Sequence, residues 1–257
     1  MNKAYVQQYA KLEKEHWWFV VRQKIILQFL QKYSGYKPLS ILNIGAAGGA
    51  SSQWLSDLGH VVSVERDPFF IEYLQQQQIP VIDTSITTLP FENNSFDLVC
   101  AFDVIEHVSN DNEAIKEMER VCKPKGLICI TVPANRLLWS EHDIVNEHKR
   151  RYSKRALLTL IENSSTSKNI ELKYFNSLLF LPILTVRMFS RLFTGNNKNP
   201  ESDFTHYKTS GPINALLKYI FSIELTLLRY ISFPFGVSLL GLWEKSETGK
   251  EVSSIRS

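Results

Sequence analysis

A single α/β unit built on a mostly parallel sheet is predicted from three observations. Short β-branched runs alternate with helical patterns from Leu39 to Pro133. The first of these runs empties into a glycine-rich turn, Gly45-Ala-Ala-Gly-Gly49, which opens a helix. The chain of 257 residues, 44% hydrophobic and 21% charged, is long enough to bury such a core without staples, and its composition excludes a fibrous or disordered protein.

The elements follow in order. Tyr5–Gln31 reads as helix, with Leu12, Trp18, Phe19, Ile25, Ile26, Phe29 and Leu30 on an apolar stripe, and breaks at Ser34-Gly35 and Pro38. Leu39–Ile44 is the first strand, and the helix after its glycine turn, from Ser51 to Leu58, ends at Gly59. His60–Glu65 is a second strand, Pro68 to about Gln78 a helix, and Pro80–Asp83 a third strand. Phe96–Phe102, the helix Asn112–Cys122 and the strand Gly126–Val132 complete the alternation, which demands right-handed crossovers.

Beyond Pro133 the pattern changes. A stretch dense in His, Arg and Asp runs to Tyr152, a helix fits Ser153–Glu162, and Asn169–Tyr174 and Phe235–Trp243 read as the last two strands. Between those strands lie about sixty residues that a minimal sheet does not need, with an apolar stretch at Leu178–Val186 and a helical pattern from Ile213 to Phe233. The expected organisation is an N-terminal helical segment at 1–38 that can serve as a lid, a cofactor-binding domain at 39–176 and 235–245, a helical cap at 177–234, and a flexible tail at 246–257. On the second helix Asn214, Lys218, Ser222 and Arg229 share one narrow face and most other positions are apolar. A cap buried on the sheet is expected there, with peripheral membrane contact through 178–233 as the alternative. Neither stretch reaches the ~20 uncharged residues of a membrane span.

Net charge is +3, unevenly spread: Leu39–Pro133 holds thirteen acids against five bases, and Leu178–Trp243 six bases against three acids. The three cysteines, Cys100, Cys122 and Cys129, form neither a C-x-x-C pair nor a zinc-ligand pattern and point to a reducing compartment. The N-terminal stretch lacks the apolar core of a signal peptide. A cytoplasmic location is expected, with peripheral placement at the inner face of the membrane as its variant. The oligomeric state is not legible.

In the glycine turn, Gly45, Gly48 and Gly49 let backbone pass close to a ligand, and Glu65, twenty residues after Gly45 at the end of the second strand, is placed to accept hydrogen bonds from ribose hydroxyls. Nicotinamide and adenosyl cofactors would both use that arrangement. Four stretches then narrow the choice. Ile41-Leu-Asn-Ile-Gly-Ala-Ala-Gly-Gly49, Ser85-Ile-Thr-Thr-Leu-Pro-Phe91 with Phe96-Asp-Leu-Val99, Asp103-Val-Ile-Glu-His-Val108 and Glu119-Arg-Val-Cys-Lys-Pro-Lys-Gly126 occur in that order. Together they resemble the motifs of class I S-adenosylmethionine-dependent methyltransferases of small-molecule type, such as the ubiquinone-pathway O-methyltransferases.

That resemblance implies a Rossmann-like, doubly wound, mostly parallel seven-stranded sheet with helices on both faces and a helical cap inserted before the last strand. It implies S-adenosylmethionine as cofactor, with Asn43, Gly45, Ala47, Gly49, Glu65, Ser85, Ile86 and Phe102 around it and Asp83 as an alternative adenine partner. Asn43 stands where an acid is usual, Ala47 where a second glycine is usual, and Lys125 where glycine is more frequent.

Methyl transfer from a sulfonium is an in-line displacement, so a dry, well-aligned pocket does most of the work and a base helps only a hydroxyl acceptor. His107, after the fourth strand, is the first candidate base, with capping of the helix near Asn110 as its structural alternative. Trp139-Ser-Glu-His-Asp-Ile-Val-Asn-Glu-His-Lys-Arg-Arg-Tyr152 opens over the same edge and offers His142, Asp143 and His148 as base or metal ligands. Metal is the less favoured use, because no ligand-spacing motif is complete, and none is assigned. The same run resembles methyltransferases linked to glycan or lipid biosynthesis, which implies a small or lipid- or glycan-linked acceptor, with O-methylation expected.

Arg150 and Arg151 are candidates for an anionic acceptor, or else pair with Glu147 or Glu141. His16-Trp-Trp-Phe19 with Arg22 can fold over the pocket or simply pack. The rivals are a nicotinamide- or nucleotide-sugar-dependent oxidoreductase, which lacks its Tyr-x-x-x-Lys pair here, and a binding protein with a decayed cofactor site. No nucleic acid partner is expected, since the basic patch is short and the cofactor region acidic.

Overall fold

The structure is a computed structural model that describes residues 3–33, 38–193 and 211–247. Its centre is one sheet of seven strands: β1 (Leu39–Ile44), β2 (Gly59–Glu65), β3 (Val81–Asp83), β4 (Phe96–Phe102), β5 (Cys122–Pro133), β6 (Ser167–Phe175) and β7 (Ser238–Lys245). They lie in the order β3-β2-β1-β4-β5-β7-β6. All neighbours up to β5 are parallel, and β7 runs antiparallel to both β5 and β6. This is the α/β, Rossmann-like sheet anticipated, with strand order reversing between β1 and β4, where ligands bind in open sheets of this type.

The central strands are apolar at nearly every position because both faces are covered. On one face α5 (Asp111–Val121) and α7 (Lys154–Ser164) bring Ile115, Met118, Leu157 and Ile161 against Val99, Ile128 and Leu239. On the other, α2 (Trp17–Tyr33), α3 (Ala50–Leu55) and α9 (Pro212–Leu227) bring Val21, Ile25, Phe29, Leu55 and Phe221 against Leu98, Cys100 and Leu240. Asn110 caps α5 by accepting from Glu113 N–H, so His107 is not that cap. The turn before β5 holds Lys125 at φ 63°, the left-handed backbone for which glycine is the easier residue.

The long first helix of the sequence reading is two helices, α1 (Lys3–Glu15) and α2. The break has a local cause. Trp17 N–H donates to Asn214 Oδ1 at 2.9 Å and Trp18 N–H to His16 Nδ1 at 3.3 Å, so two rungs of the helix ladder go to side chains and a second helix starts there. The remaining helices are α4 (Pro68–Gln76), α6 (Glu141–Val145) in the loop after β5, and α8 (Phe180–Phe193), which carries Pro182 harmlessly in its first turn.

Helix α9 stops at Leu227 rather than Phe233, capped at Leu228 ahead of the limit that Pro234 sets, and β7 begins at Ser238 rather than Phe235, where pairing with Pro133 and Phe175 starts. Of the four polar residues expected to share one face of this pattern, two reach α2: Asn214 caps it and Arg229 Nε donates to Gln28 Oε1 at 2.8 Å. Buried Glu224 accepts from Ser177 N–H at 2.7 Å and Leu178 N–H at 3.1 Å, tying α9 to the end of β6. Most of what α9 leaves to solvent is apolar, Ile213, Leu216, Tyr219 and Ile223, with Tyr230 exposed just beyond its end. Among the described residues no helix is long and apolar enough to cross a membrane. The middle of the insertion, 194–210, and the expected tail from 248 onward lie outside the described residues.

Candidate active site

The site grows out of the C-terminal ends of β1, β2 and β4. Ile44 leads into Gly45 at φ +74°, and a Cβ there would lie 2.5 Å from Val104 Cγ2, so the turn and the chain after β4 approach as only glycine permits. At the end of β2, Glu65 accepts from Ala47 N–H at 2.9 Å through one oxygen, and from Arg66 N–H at 2.7 Å and Asp67 N–H at 3.0 Å through the other. Glycine loop and acid are thus joined, and the carboxylate keeps lone-pair capacity for a further donor. Asp83 ends β3 in register with Glu65 and is exposed.

The other cofactor candidates scatter more. Buried Asn43 donates through Nδ2 to Ser51 and Ser52 at 2.9 and 3.0 Å, and its Oδ1 has no partner among the described residues. Ser85 bonds Thr87 within its own turn, and Ile86 is packed into the core under α5 rather than open to the edge. Phe102 rests against Trp54 with ring centroids 5.4 Å apart, and the two help wall a cavity of about 40 Å³ over the glycine loop. Gly45 and Ala47 form its floor.

Its roof is the N-terminal segment. Glu13 lies so close that a Cβ on Gly48 would sit 2.4 Å from its Oε2, and Ala50 N–H reaches the same oxygen at 3.4 Å. Burial pushes the Glu13 carboxyl up to about 8 against the downward pull of the Ala50 hydrogen bond, Arg22 and Lys14. Arg22 pairs with Asp103 at 2.7 Å, donates to Thr131 Oγ1 at 3.0 Å and lies over the Trp18 ring at 4.7 Å. Asp103, just past β4, takes φ 55°, an unusual backbone for a residue with a side chain. Sequence reasoning assigned no role to Glu13, Asp103 or Glu106. Glu13 and Asp103 meet their partners across long sequence separations, which no local pattern announces.

Beside the small cavity lies a larger one of about 410 Å³, and Tyr9 and Phe19 line both. It is walled by Trp17 and Trp18 on one side and by His107, His142 and His148 on the other. The three histidines come together. His107 sits in a 3₁₀ turn after β4, with its ring centroid 4.8 Å from that of His148, and His142 is 5.9 Å from His148. Burial, then the charge of His148, lowers His107 to about 4 and keeps it neutral near pH 7. Asp143 faces away from the cavity and is completely buried. It accepts from Ser140 N–H at 2.8 Å, from Arg151 Nε at 2.7 Å and from His148 Nδ1 at 2.9 Å. Burial would raise its carboxyl, but the His148 bond and the Arg151 charge hold it far below the usual carboxylate range. Asp143 therefore orients His148.

The two arginines are engaged differently from the expectation. Arg151 is buried on Asp143, and Arg150 pairs with Asp111 at 2.6 Å while donating to Val108 and Ser109 carbonyls. Glu106 completes the floor. It is fully buried, neither carboxylate oxygen has a hydrogen-bond partner beyond its own backbone N–H among the described residues, and burial together with Asp103 holds its carboxyl well above the usual range.

Known proteins match both the sequence and the fold. Residues 42–130 match the family described as methyltransferase domain, from β1 through most of β5. A ubiquinone biosynthesis O-methyltransferase of Rickettsia typhi is 26% identical over 70% of this chain and 84% of its own. A protein of Mycolicibacterium smegmatis named "probable S-adenosylmethionine-dependent methyltransferase" is 23% identical over 50% of each chain. The match spans about half the length of the mycobacterial relatives. A solved S-adenosylmethionine-dependent methyltransferase of Archaeoglobus fulgidus superposes with a TM-score of 0.56 over 92% of this chain and 99% of its own at 15% identity, which speaks for the fold.

Proposed function

This chain is a member of the class I S-adenosylmethionine-dependent methyltransferases, and on that premise we propose that it methylates an oxygen of a small, lipid- or glycan-linked acceptor held in the histidine-walled cavity. The observation that carries the reading is the meeting of two compartments at the strand-order reversal. One holds a glycine loop bonded to the acid ending β2; the other is a largely apolar cavity with three clustered histidines.

The residues fit the cofactor: Glu65 has spare acceptor capacity at the loop, and Asn43 Oδ1 is buried without a partner among the described residues. When bound, S-adenosylmethionine supplies an electrophilic methyl group. Glu65 takes the ribose hydroxyls, Gly45, Ala47 and Gly49 cradle the methionine end, and Phe102 with Ser85, Ile86 or Asp83 borders the adenosyl part. At about 40 Å³ the space over the loop is far below the ~300 Å³ of ordinary ligand pockets, so α1 lifts to admit the cofactor and then closes as a lid. Trp17 and Trp18 exclude water, which favours in-line attack. His107 or His148, with His142 nearby, receives the acceptor's hydroxyl proton.

A membrane-borne acceptor is supported by the apolar stripe that α9 exposes, by the exposed Leu181, Val186, Met188 and Phe189 of α8, and by the basic excess of the insertion. Calorimetric titration tests the core of the proposal. Micromolar binding of S-adenosylmethionine, weakened at least tenfold in a folded Glu65→Ala variant, is the expected result. No binding by the folded wild-type chain would overturn it.

A further inference from the structure

Taken out of water, a carboxylate must find a proton, hydrogen-bond donors or a cation. Beyond its own backbone N–H, Glu106 has no donor to either oxygen among the described residues, and beside it stand two imidazoles. One ligand atom from each of Glu106, His107 and His148 can be chosen so that all three lie within 4.8 Å of one another. The geometry points to a binding site for a divalent transition metal, best matched by Zn²⁺, formed by Glu106, His107 and His148 at the floor of the larger cavity.

Three features argue for a metal over a casual cluster. The donor set, two imidazoles and one carboxylate, is one that catalytic zinc sites use when a fourth position is left for water or substrate. Ligand atoms around a tetrahedral zinc stand roughly 3.4 Å apart given bonds of about 2.0–2.1 Å, so the 4.8 Å spread closes by a shift of roughly 1.4 Å. The imidazoles are also oriented as ligands are. Asp143, clamped by Arg151, takes His148 Nδ1 at 2.9 Å and leaves Nε2 for the ion, and the Asn146 backbone lies against the His107 ring. Asp143 itself is spent on these bonds, so the trio His142, Asp143 and His148 marked in the sequence cannot be the ligand set.

The vacant coordination position faces the cavity that all three residues line. An acceptor hydroxyl bound there would lose its proton more readily, because a cation stabilises the alkoxide; with His107 and His148 committed to the ion, the proton would pass to solvent or to His142 in place of those two. This role rests on the methyl-transfer reading; the site itself does not.

Chelator-stripped protein titrated with Zn²⁺ and with Co²⁺, by calorimetry and by visible absorption of the cobalt form, tests the site. One metal per chain, tetrahedral cobalt bands, and at least tenfold weaker binding in Glu106→Gln, His107→Ala and His148→Ala are expected, with a loss of ten- to a hundredfold in Asp143→Asn. Titrating S-adenosylmethionine into the same variants shows that they are folded and keeps a failure of the metal site distinct from a failure of the methyltransferase reading. Metal affinity no tighter than millimolar in the wild type, or unchanged in the ligand variants, would overturn the proposal.

Discussion

Glu13 carries the clearest consequence at the scale of single residues. Its carboxyl rises to about 8 in the folded chain because it is buried over the glycine loop, well above the roughly 4.3 of an unfolded glutamate. The folded state therefore holds this proton more tightly than the unfolded one. The contribution to stability is complete below pH 4.3 and is lost as pH climbs through 8. Glu13→Gln imitates the protonated form, so its melting temperature should match the wild type near pH 5 and exceed it near pH 8; thermal melts at the two values check this, and a pH-independent difference would place the titration elsewhere. Gly45 and Glu65 were legible in the sequence because a strand, a tight turn and a strand-ending acid are local patterns. Glu13 was not, since its environment is made by a loop thirty-five residues away in the chain. Glu106 was written out within the Asp103–Val108 stretch, yet its isolation from hydrogen-bond donors exists only once β4 and α6 are packed.

Elements show the same division between local and assembled information. Strand and helix alternation from β1 to β5 followed from period and turn chemistry, whereas the division of α1 from α2 depends on Asn214, nearly two hundred residues on. Helix α1 covers the loop by touching it at Gly48, where a Cβ would lie 2.8 Å from Ala10 Cα and 2.4 Å from Glu13 Oε2. Gly48→Ala should accordingly push α1 outward at a cost of about 1–3 kcal/mol. Faster amide exchange confined to residues 3–15, with the sheet unchanged, would show it. Asn214 and Arg229, two of the four polar residues expected to share one face, turn to α2, and the outer side of α9 is left mostly apolar. If that stripe meets lipid, Leu216→Glu with Tyr219→Glu should abolish flotation with anionic vesicles and leave the melting temperature within a few degrees. Equal flotation of wild type and variant would assign the stripe another role.

Over the whole molecule, the sheet was readable in kind but not in every seam. The parallel half is dictated by crossover helices, while the placing of β7 between β5 and β6 is a long-range choice that alternation alone cannot express. Seven register pairs join β7 to β5 and seven join it to β6, with Trp243 buried among them. A chain ended at residue 237 should therefore lose the cooperative melt of the full protein, which circular dichroism would report. That seam also has a history in time. During synthesis the slot between β5 and β6 stands open until residues 238–245 arrive, so two hydrogen-bonding edges wait in the crowded cell for the same short segment. A nascent chain that collects its own β7 closes as a monomer. One that meets another copy's β7 first is carried toward strand exchange, and the partition between the two fates is set by how soon the last strand arrives, more than by the stability of the finished sheet.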